Sequence, residues 1–361
     1  MKLILLMNDL PGGAEQIYKM IAKQFALRGD AVKIIFFKSG NSLYWNDLLS
    51  EKCELVYCNG SILKLVKFLN KFCKRNTDIF TTHIYLTGFV GILLKMNFIS
   101  CNLFIGREST SPFKRFTGIK LFSYRLMYYF GYSKLNLLIC QTEWMKDEFR
   151  ANLPWLSKKI NIVDIGNPFN AESLYVSKDV ADLGETACYS NYIVSAGRLI
   201  KEKGFDILIQ SFSELKLRSM NLVILGEGPE RDNLEQLVAR LDLVNEVYLV
   251  GFVDNVYEYF KYAELCVVSS RIEGFPNVLM QMMSQNQKVV STKCAGGIEN
   301  IPGIFLSEVD SVPDLSRSMK ACLAASSTKN REKFDVYLRK RTINSFLEAV
   351  YSNTYNYEKI S

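Results

Sequence analysis

The chain uses one grammar twice, and that repetition constrains its fold more than any single motif. Short apolar runs alternate with segments of helical periodicity. In the first half the runs are Leu3–Met7, Val32–Phe37, Leu55–Cys58, Ile79–Thr82, Leu103–Gly106, Leu137–Cys140 and Ile160–Ile165. Helical patterns lie between several of them, notably Ala14–Arg28 and Glu143–Asn152. This alternation predicts a parallel sheet covered by helices on both faces. Asn167-Pro168 then interrupts the pattern, and residues 169–190 read as an irregular linker. The second half restarts. Tyr192–Ala196, Leu222–Gly226, Val247–Val250, Leu265–Ser269 and Lys288–Ser291 read as strands, and Gly204–Arg218, Glu230–Leu241, Val256–Lys261 and Asn277–Ser284 as helices. The end, Asn330–Tyr357, reads as helical. The expectation is an α/β protein of two doubly wound domains, 1–168 and 169–339, with a C-terminal helix of about 340–361 available to pack back onto the first. Such domains in tandem place a ligand cleft between them, at the carboxyl ends of their strands.

Charge divides along the same boundary. The chain carries a formal net charge of +7, yet residues 1–168 hold 23 Lys/Arg against 12 Asp/Glu, and the remainder is net acidic. Such asymmetry points to one domain that meets an anionic surface. Two acid-free segments concentrate it. Ile62–Arg75 carries Lys64, Lys67, Lys71, Lys74 and Arg75, with Leu65, Phe68, Leu69 and Phe72 at helical spacing. Ser109–Leu135 carries Lys114, Arg115, Lys120, Arg125 and Lys134. Among them lie Phe113, Phe116, Phe122, Tyr124, Tyr128, Tyr129, Phe130 and Tyr132. A basic, aromatic, amphipathic helix suits the interface of an anionic membrane. The bland alternative is a helix packed on its domain with solvated charges. Nucleic acid is the rival anion, but no nucleic-acid motif accompanies the charge, and none is expected as a partner.

Composition excludes other classes. A 48% hydrophobic, 22% charged chain is neither disordered nor fibrous. Nine Cys without a CxxC pair read as reduced, mostly buried thiols of a cytosolic protein, and one His makes a zinc site unexpected. The apolar start, Leu3–Met7, is too short for a secretory signal. Ile79–Gly106 is interrupted by His83, Lys95 and several polar residues, so it reads as strand, helix, strand rather than a membrane span.

Three motifs carry chemistry. Gly12-Gly13-Ala14-Glu15 follows the first strand and opens a helix, where free amides attract anions. It is not GxGxxG, so a nicotinamide site loses its main support. SAGRLIKEKG places Arg198 and Lys203 between a strand end and a helix start, an arrangement that suits a diphosphate. In EGFPNVLMQ, Glu273 precedes a turn freed by Gly274. Pro276 suits the first helical position, and Gln281 stands about one turn into the helix. Each motif also has a plain reading, as a connecting turn, a solvated loop or a capped helix.

Taken in order, SAGRLIKEKGFDILI, LVILGEGPE, VYLVGFVDNVYEYFKYAELCVVSSRIEGFPNVLMQMMS and CAGGIENI resemble the donor domain of family 4 glycosyltransferases. These are retaining enzymes of group 1 type and GT-B fold, with two Rossmann-like parallel-sheet domains, of the kind that builds bacterial surface polysaccharides. GGAEQ and His83 extend the likeness into the first half. The resemblance implies transfer of a sugar from a nucleotide-sugar, most often a UDP-sugar, with retention at the anomeric carbon and no metal or other cofactor. Arg198 and Lys203 would neutralise the leaving diphosphate. The amides of Gly12 and Gly13, and those after Gly274 in the turn Gly274-Phe275-Pro276-Asn277, where Pro276 itself has no N–H to give, would hold phosphates and sugar hydroxyls. Glu273 would bind the transferred sugar, His83 would stand near sugar and acceptor, and Gly226, Phe252 and Val253 would flank the base. The acceptor would be a lipid-linked glycan met at the inner face of the cell membrane, by a cytoplasmic, peripheral protein. Two departures stand out. Gln281 occupies the place of a ribose-binding Glu, which removes a charge-assisted hydrogen bond. IPGIFLSEVDSVPDL lacks the usual glycine-rich loop. Gln281 keeps open a catalytically lapsed nucleotide-sugar binder, and an epimerase of the same architecture is a third reading.

Overall fold

The computed structural model describes residues 1–10, 12–40, 43–50, 52–170, 191–216, 220–326 and 329–358. The expected 169–190 linker lies, from residue 171 on, outside the described residues. The chain divides into two compact units, Met1–Pro168 with Arg341–Ser361, and Phe169–Lys340.

The first unit is built on seven strands: β1 (Lys2–Leu6), β2 (Val32–Phe36), β3 (Cys53–Tyr57), β4 (Asp78–Thr81), β5 (Leu103–Arg107), β6 (Leu137–Cys140) and β7 (Asn161–Asp164). Its helices are α1 (Gly13–Leu27), α2 (Ile62–Phe72), α3 (Ile84–Lys95), α4 (Pro112–Arg115), α5 (Gly118–Gly131), α6 (Glu143–Asn152) and α7 (Pro154–Ser157). The strands are parallel in the order β3-β2-β1-β4-β5-β6-β7, so the winding reverses between β1 and β4. Alternate residues feed opposite faces. Leu3, Leu5 and Phe104 join the core beneath α2, α3, α5 and α6, while Ile4, Leu6 and Ile105 join the core beneath α1. Burial on both faces is why these strands read as continuous apolar runs.

The second unit holds β8 (Tyr192–Ala196), β9 (Asn221–Leu225), β10 (Val247–Gly251), β11 (Leu265–Val268), β12 (Val289–Thr292) and β13 (Phe305–Ser307). Between them lie α8 (Phe205–Leu215), α9 (Arg231–Arg240), α10 (Val256–Tyr262), α11 (Asn277–Gln285), α12 (Val312–Ala324) and α13 (Asn330–Arg339). The sheet is again parallel, in the order β10-β9-β8-β11-β12-β13, and reverses between β8 and β11. Expected helix Gly204–Arg218 is shorter, because Gly204 and Lys216 both adopt the left-handed conformation and bound it at Phe205 and Leu215; Arg218 lies outside the described residues.

Three local readings are corrected. The helical end 330–357 is two helices. α13 belongs to the second unit, and α14 (Ile343–Glu358) belongs to the first. Thr342 separates them, its Oγ1 accepting the Ser345 amide at 3.1 Å, an N-cap that starts α14 afresh. Phe346, Leu347 and Val350 of α14 are buried in the α1-side core. Lys2 Nζ donates to Asp78 Oδ2 at 2.6 Å and to Tyr351 Oη at 2.7 Å. Second, the segment 109–135 is not one amphipathic helix but α4, α5 and a short 3-10 turn at Tyr132–Lys134. Tyr124, Tyr128 and Tyr132, four residues apart, face inward and are core residues. Ile119, Phe122, Tyr129 and Phe130 stay exposed. Close approach of α3 and α5 sets this orientation: a Cβ on Gly91 would stand 1.8 Å from the Gly131 carbonyl oxygen. Third, Pro276 is the extended N-cap of α11 rather than its first residue, which is Asn277.

No helix of the described residues is long and apolar enough to cross a membrane. The described cysteines are all free, and all but the half-buried Cys101 are buried.

Candidate functional site

Open parallel sheets bind ligands outside the carboxyl ends of their strands, where the winding reverses. In the second unit that place lies between β8 and β11. The loops leaving these strands are Gly197–Gly204 and Ser269–Pro276, and they carry the residues that the sequence singled out. Lys203 closes a 3-10 turn, Lys201–Lys203, and its Nζ pairs with Glu273 Oε1 at 2.6 Å. The same carboxylate oxygen accepts from Ser270 Oγ at 2.9 Å, and the Glu273 amide donates to Cys294 O at 2.8 Å. Both side chains of the pair remain about a fifth exposed, 22% and 18%. A ligand can therefore reach them. Arg198, just beyond β8, is exposed, and its guanidinium has no ion-pair partner among the described residues.

Around them, Gly226 at the end of β9 has φ +133°, and a Cβ there would stand 2.1 Å from Gly197 O, so only glycine fits. Its amide donates to Gly251 O at 2.7 Å, which draws the ends of β9 and β10 together. Beyond Gly251, Phe252 is 65% exposed and Val253 half-buried. Gly274, Phe275 and Pro276 are buried, and Asn277 and Gln281 half-buried on α11. Gln281 Nε2 donates to Tyr257 Oη of α10 at 3.4 Å. Lys203, Glu273, Arg198 and Gln281 thus sit on two loops and one helix start of a single unit. Tyr257, Ser270 and Arg271 were not singled out from the sequence. Arg271 stands inside the quoted stretch SSRIEGFPN, but its partners are far away in the chain.

In the first unit the reversal lies between β1 and β4. Gly12 is the N-cap of α1, and Gly13 is its exposed first residue. Gly12 has φ −155°, extended backbone open to any residue, so its conformation does not demand glycine. His83 caps α3 without a side-chain cap bond. Its Nδ1 is buried without a hydrogen-bond partner, and the ring stacks obliquely on Tyr85 at 5.6 Å. Burial, and then the nearby Lys120, hold its pKa below the ordinary value. His83 is therefore uncharged at neutral pH.

One strand over lies a buried polar cluster that was not singled out from the sequence. Arg107 ends β5 and Glu108 follows it, and they are 3% and 2% exposed. Arg107 Nη2 donates to Asn167 Oδ1, while Nε and Nη1 have no hydrogen-bond partner among the described residues. Glu108 Oε1 accepts from Tyr132 Oη at 2.6 Å, and its carbonyl accepts from Gln141 Nε2 at 3.2 Å. Burial pushes the Glu108 carboxyl up to about 7, although the Tyr132 hydroxyl and Arg107 oppose it. Two consecutive charges at a strand end were the available signal. They were passed over because the apolar run stopped at Gly106.

Among the described residues no group of three or more His, Cys, Asp or Glu could hold a metal ion. Residues 188–341 match the model of the family described as glycosyl transferases group 1. Over 338 residues the chain is 28% identical to the N-acetylgalactosamine-N,N'-diacetylbacillosaminyl-diphospho-undecaprenol 4-alpha-N-acetylgalactosaminyltransferase of Campylobacter jejuni, covering 86% of this chain and 87% of that protein. Over 161 residues it is 29% identical to the lipopolysaccharide core biosynthesis glycosyltransferase LpsE of Rhizobium meliloti, 45% of each. The crystal structure of Anabaena HepE in complex with UDP and glucose superposes with a TM-score of 0.80 at 18% identity, over 98% of this chain and 99% of that one. The architecture of two parallel-sheet units is the GT-B fold.

Proposed function

We propose that this chain, a glycosyltransferase of the GT-B fold with a group 1 domain in its second unit, moves a sugar from a UDP-sugar to a lipid-linked glycan. The transfer proceeds with retention at the anomeric carbon. The observation that carries the reading is the reachable Lys203–Glu273 pair beside the unpartnered Arg198, at the winding reversal of that domain. The Campylobacter relative, named for an undecaprenol diphosphate-linked substrate, supports the acceptor class, and HepE, crystallised with UDP, supports the nucleotide.

In this reading Arg198 and Lys203 neutralise the diphosphate, and no metal is needed. Glu273 accepts hydrogen bonds from the hydroxyls of the transferred sugar. The bond from the anomeric carbon to the diphosphate oxygen breaks, and the acceptor hydroxyl forms its bond on the same face. The acceptor's proton passes to the leaving phosphate oxygen. In the second unit the backbone amides of Gly274, Phe275 and Asn277 add hydrogen bonds to phosphate and sugar, with Pro276 shaping the turn; in the first, those of Gly12 and Gly13 are the candidate anion donors. Gly226, Phe252 and Val253 border the base, and Gln281 receives the ribose. His83, being uncharged, serves as a hydrogen-bond partner rather than a cation.

The acceptor side belongs to the first unit. α2 exposes Ile62, Leu63 and all of Lys64, Lys67 and Lys71, with Lys74 and Arg75 just beyond it. α5 exposes Ile119 and Phe122 beside Lys120 and Arg125. We assign these two faces to an anionic membrane at the cytoplasmic side, each basic residue contributing about 1 kcal/mol. A second reading, a binder that has lost turnover, is favoured by Gln281 alone.

The test is release of nucleoside diphosphate from UDP-, GDP- and ADP-sugars by the purified protein with anionic liposomes. Release from one donor, abolished by Glu273→Ala, is the expected result. Stabilisation by one nucleotide with no release, and release restored by Gln281→Glu, would select the lapsed binder.

A further inference from the structure

Arg271 does not belong to the pair just described, yet it holds together the two loops that carry it. Its backbone amide donates to Glu202 O at 2.7 Å. Its guanidinium donates from Nη1 to Lys201 O at 2.6 Å, so both bonds grip the 3-10 turn that ends in Lys203. Nη1 and Nη2 also engage Asp206 Oδ1 and Oδ2, each at 2.8 Å, in the first turn of α8. Nε pairs with Asp310 beyond β13. The Asp206 and Asp310 carboxylates raise the already high pKa of Arg271, and Arg271 in turn lowers that of Asp206 against the opposing effect of its burial. A second tie lies alongside, where Ser269 Oγ donates to Lys203 O at 2.9 Å. Two residues after Arg271 comes Glu273, and two after Lys201 comes Lys203. The separation of the ammonium from the carboxylate is thus measured out from the guanidinium.

We infer that Arg271 is a positioning residue, which fixes Lys203 against Glu273 at the spacing needed to hold a diphosphate and its sugar together. The inference rests on the donor-site reading of the second unit. A planar fork that satisfies two carboxylates and a carbonyl at once cannot be reproduced by a lysine ammonium, which is a compact point charge on a flexible stem. Misplacing reacting groups by about 1 Å costs about 100-fold in rate. Losing one charge-assisted hydrogen bond weakens binding about tenfold.

The experiment uses the full chain, with UDP affinity by calorimetry and UDP release from the UDP-sugar it consumes, both per folded molecule. Arg271→Gln is expected to weaken UDP about tenfold and slow release about 100-fold. Arg271→Lys should not restore either. In a Lys203→Ala background Arg271→Gln should change neither by more than about twofold, because its effect is routed through Lys203. A purely structural role would lower the unfolding temperature and leave affinity and turnover per folded molecule unchanged, and that result overturns the inference. So would full rescue by Arg271→Lys. If Lys203→Ala and Glu273→Ala leave UDP binding and release intact, the donor-site reading itself has failed. If those two abolish release while Arg271→Gln does not, only the positioning role has failed.

Discussion

At the carboxyl ends of their sheets the two units treat charge in opposite ways. In the second, Lys203 and Glu273 are partly exposed and answer one another at 2.6 Å. In the first, Arg107 and Glu108 are buried to within a few percent, and two guanidinium nitrogens have no hydrogen-bond partner among the described residues. A partly exposed pair contributes little net stability, so a ligand can take one partner at small cost. A buried charge can be neither exchanged nor solvated, and the fold must carry it. Charge available for chemistry and charge consumed by the fold are told apart by solvent access, not by residue type.

The largest effect that would break this contrast is at Glu273. Glu273→Ala or Lys203→Ala should lower turnover about 10²–10³-fold. The unfolding midpoint should move little, which a release assay beside urea titration will read. Next comes Glu108. Burial pushes its carboxyl up to about 7 in the fold, from an ordinary value of about 4.5. As pH rises from about 4.5 to 7 the unfolded chain loses its proton while the folded chain keeps it. This group's contribution is therefore fully present below pH 4.5 and lost as pH passes 7, a change on the order of 3 kcal/mol. Glu108→Gln should remove that decline in a comparison of urea midpoints at pH 5 and pH 8. An unchanged pH slope would mean that the charge is matched in the fold.

Two smaller effects sharpen the picture. Gln281→Glu should strengthen UDP binding by about 1–2 kcal/mol, measured by calorimetry. On the surface, Lys120→Ser should weaken partition to anionic vesicles by about 1 kcal/mol. Tyr124→Phe, on the inward face of the same helix, should leave partition as it was. Sedimentation with and without salt separates the two.

Much of the fold was legible because its causes are local. Strands buried on both faces leave continuous apolar runs, and Leu137–Cys140, Tyr192–Ala196 and Glu143–Asn152 were read to the residue. What escaped depends on distant partners. Helical periodicity puts Tyr124, Tyr128 and Tyr132 on one face and Ile119 and Phe122 on another, but both faces are apolar and aromatic, so the pattern does not say which turns inward. Only the glycine crossing of α3 with α5 decides which of them face inward. A separate C-terminal helix of about 340–361 was expected within the last helical stretch, but its start was not legible, because it rests on the Thr342 side chain capping the Ser345 amide. For the site, the loops bearing Lys203 and Glu273 could be found because short motifs carry them. Arg271 could not, since its carboxylate partners lie 65 and 39 residues away. Arg107 and Glu108 escaped because a charged residue is read as exposed until a structure shows otherwise.

The placement of α14 has a consequence for how the molecule comes into being. Phe346, Leu347 and Val350 fill the same core as Ile4 and Leu6, and Tyr351 meets Lys2 across 349 residues of chain. In chain order the second unit is an insertion within the first. During synthesis the part of the α1-side core that α14 fills waits, uncovered, until the final helix has been made. At about 5–20 residues per second that delay is roughly 10–35 s. Over that interval the apolar groove meant for α14 is open to solvent and to other nascent chains. A stop codon placed just after residue 340 would leave it open for good.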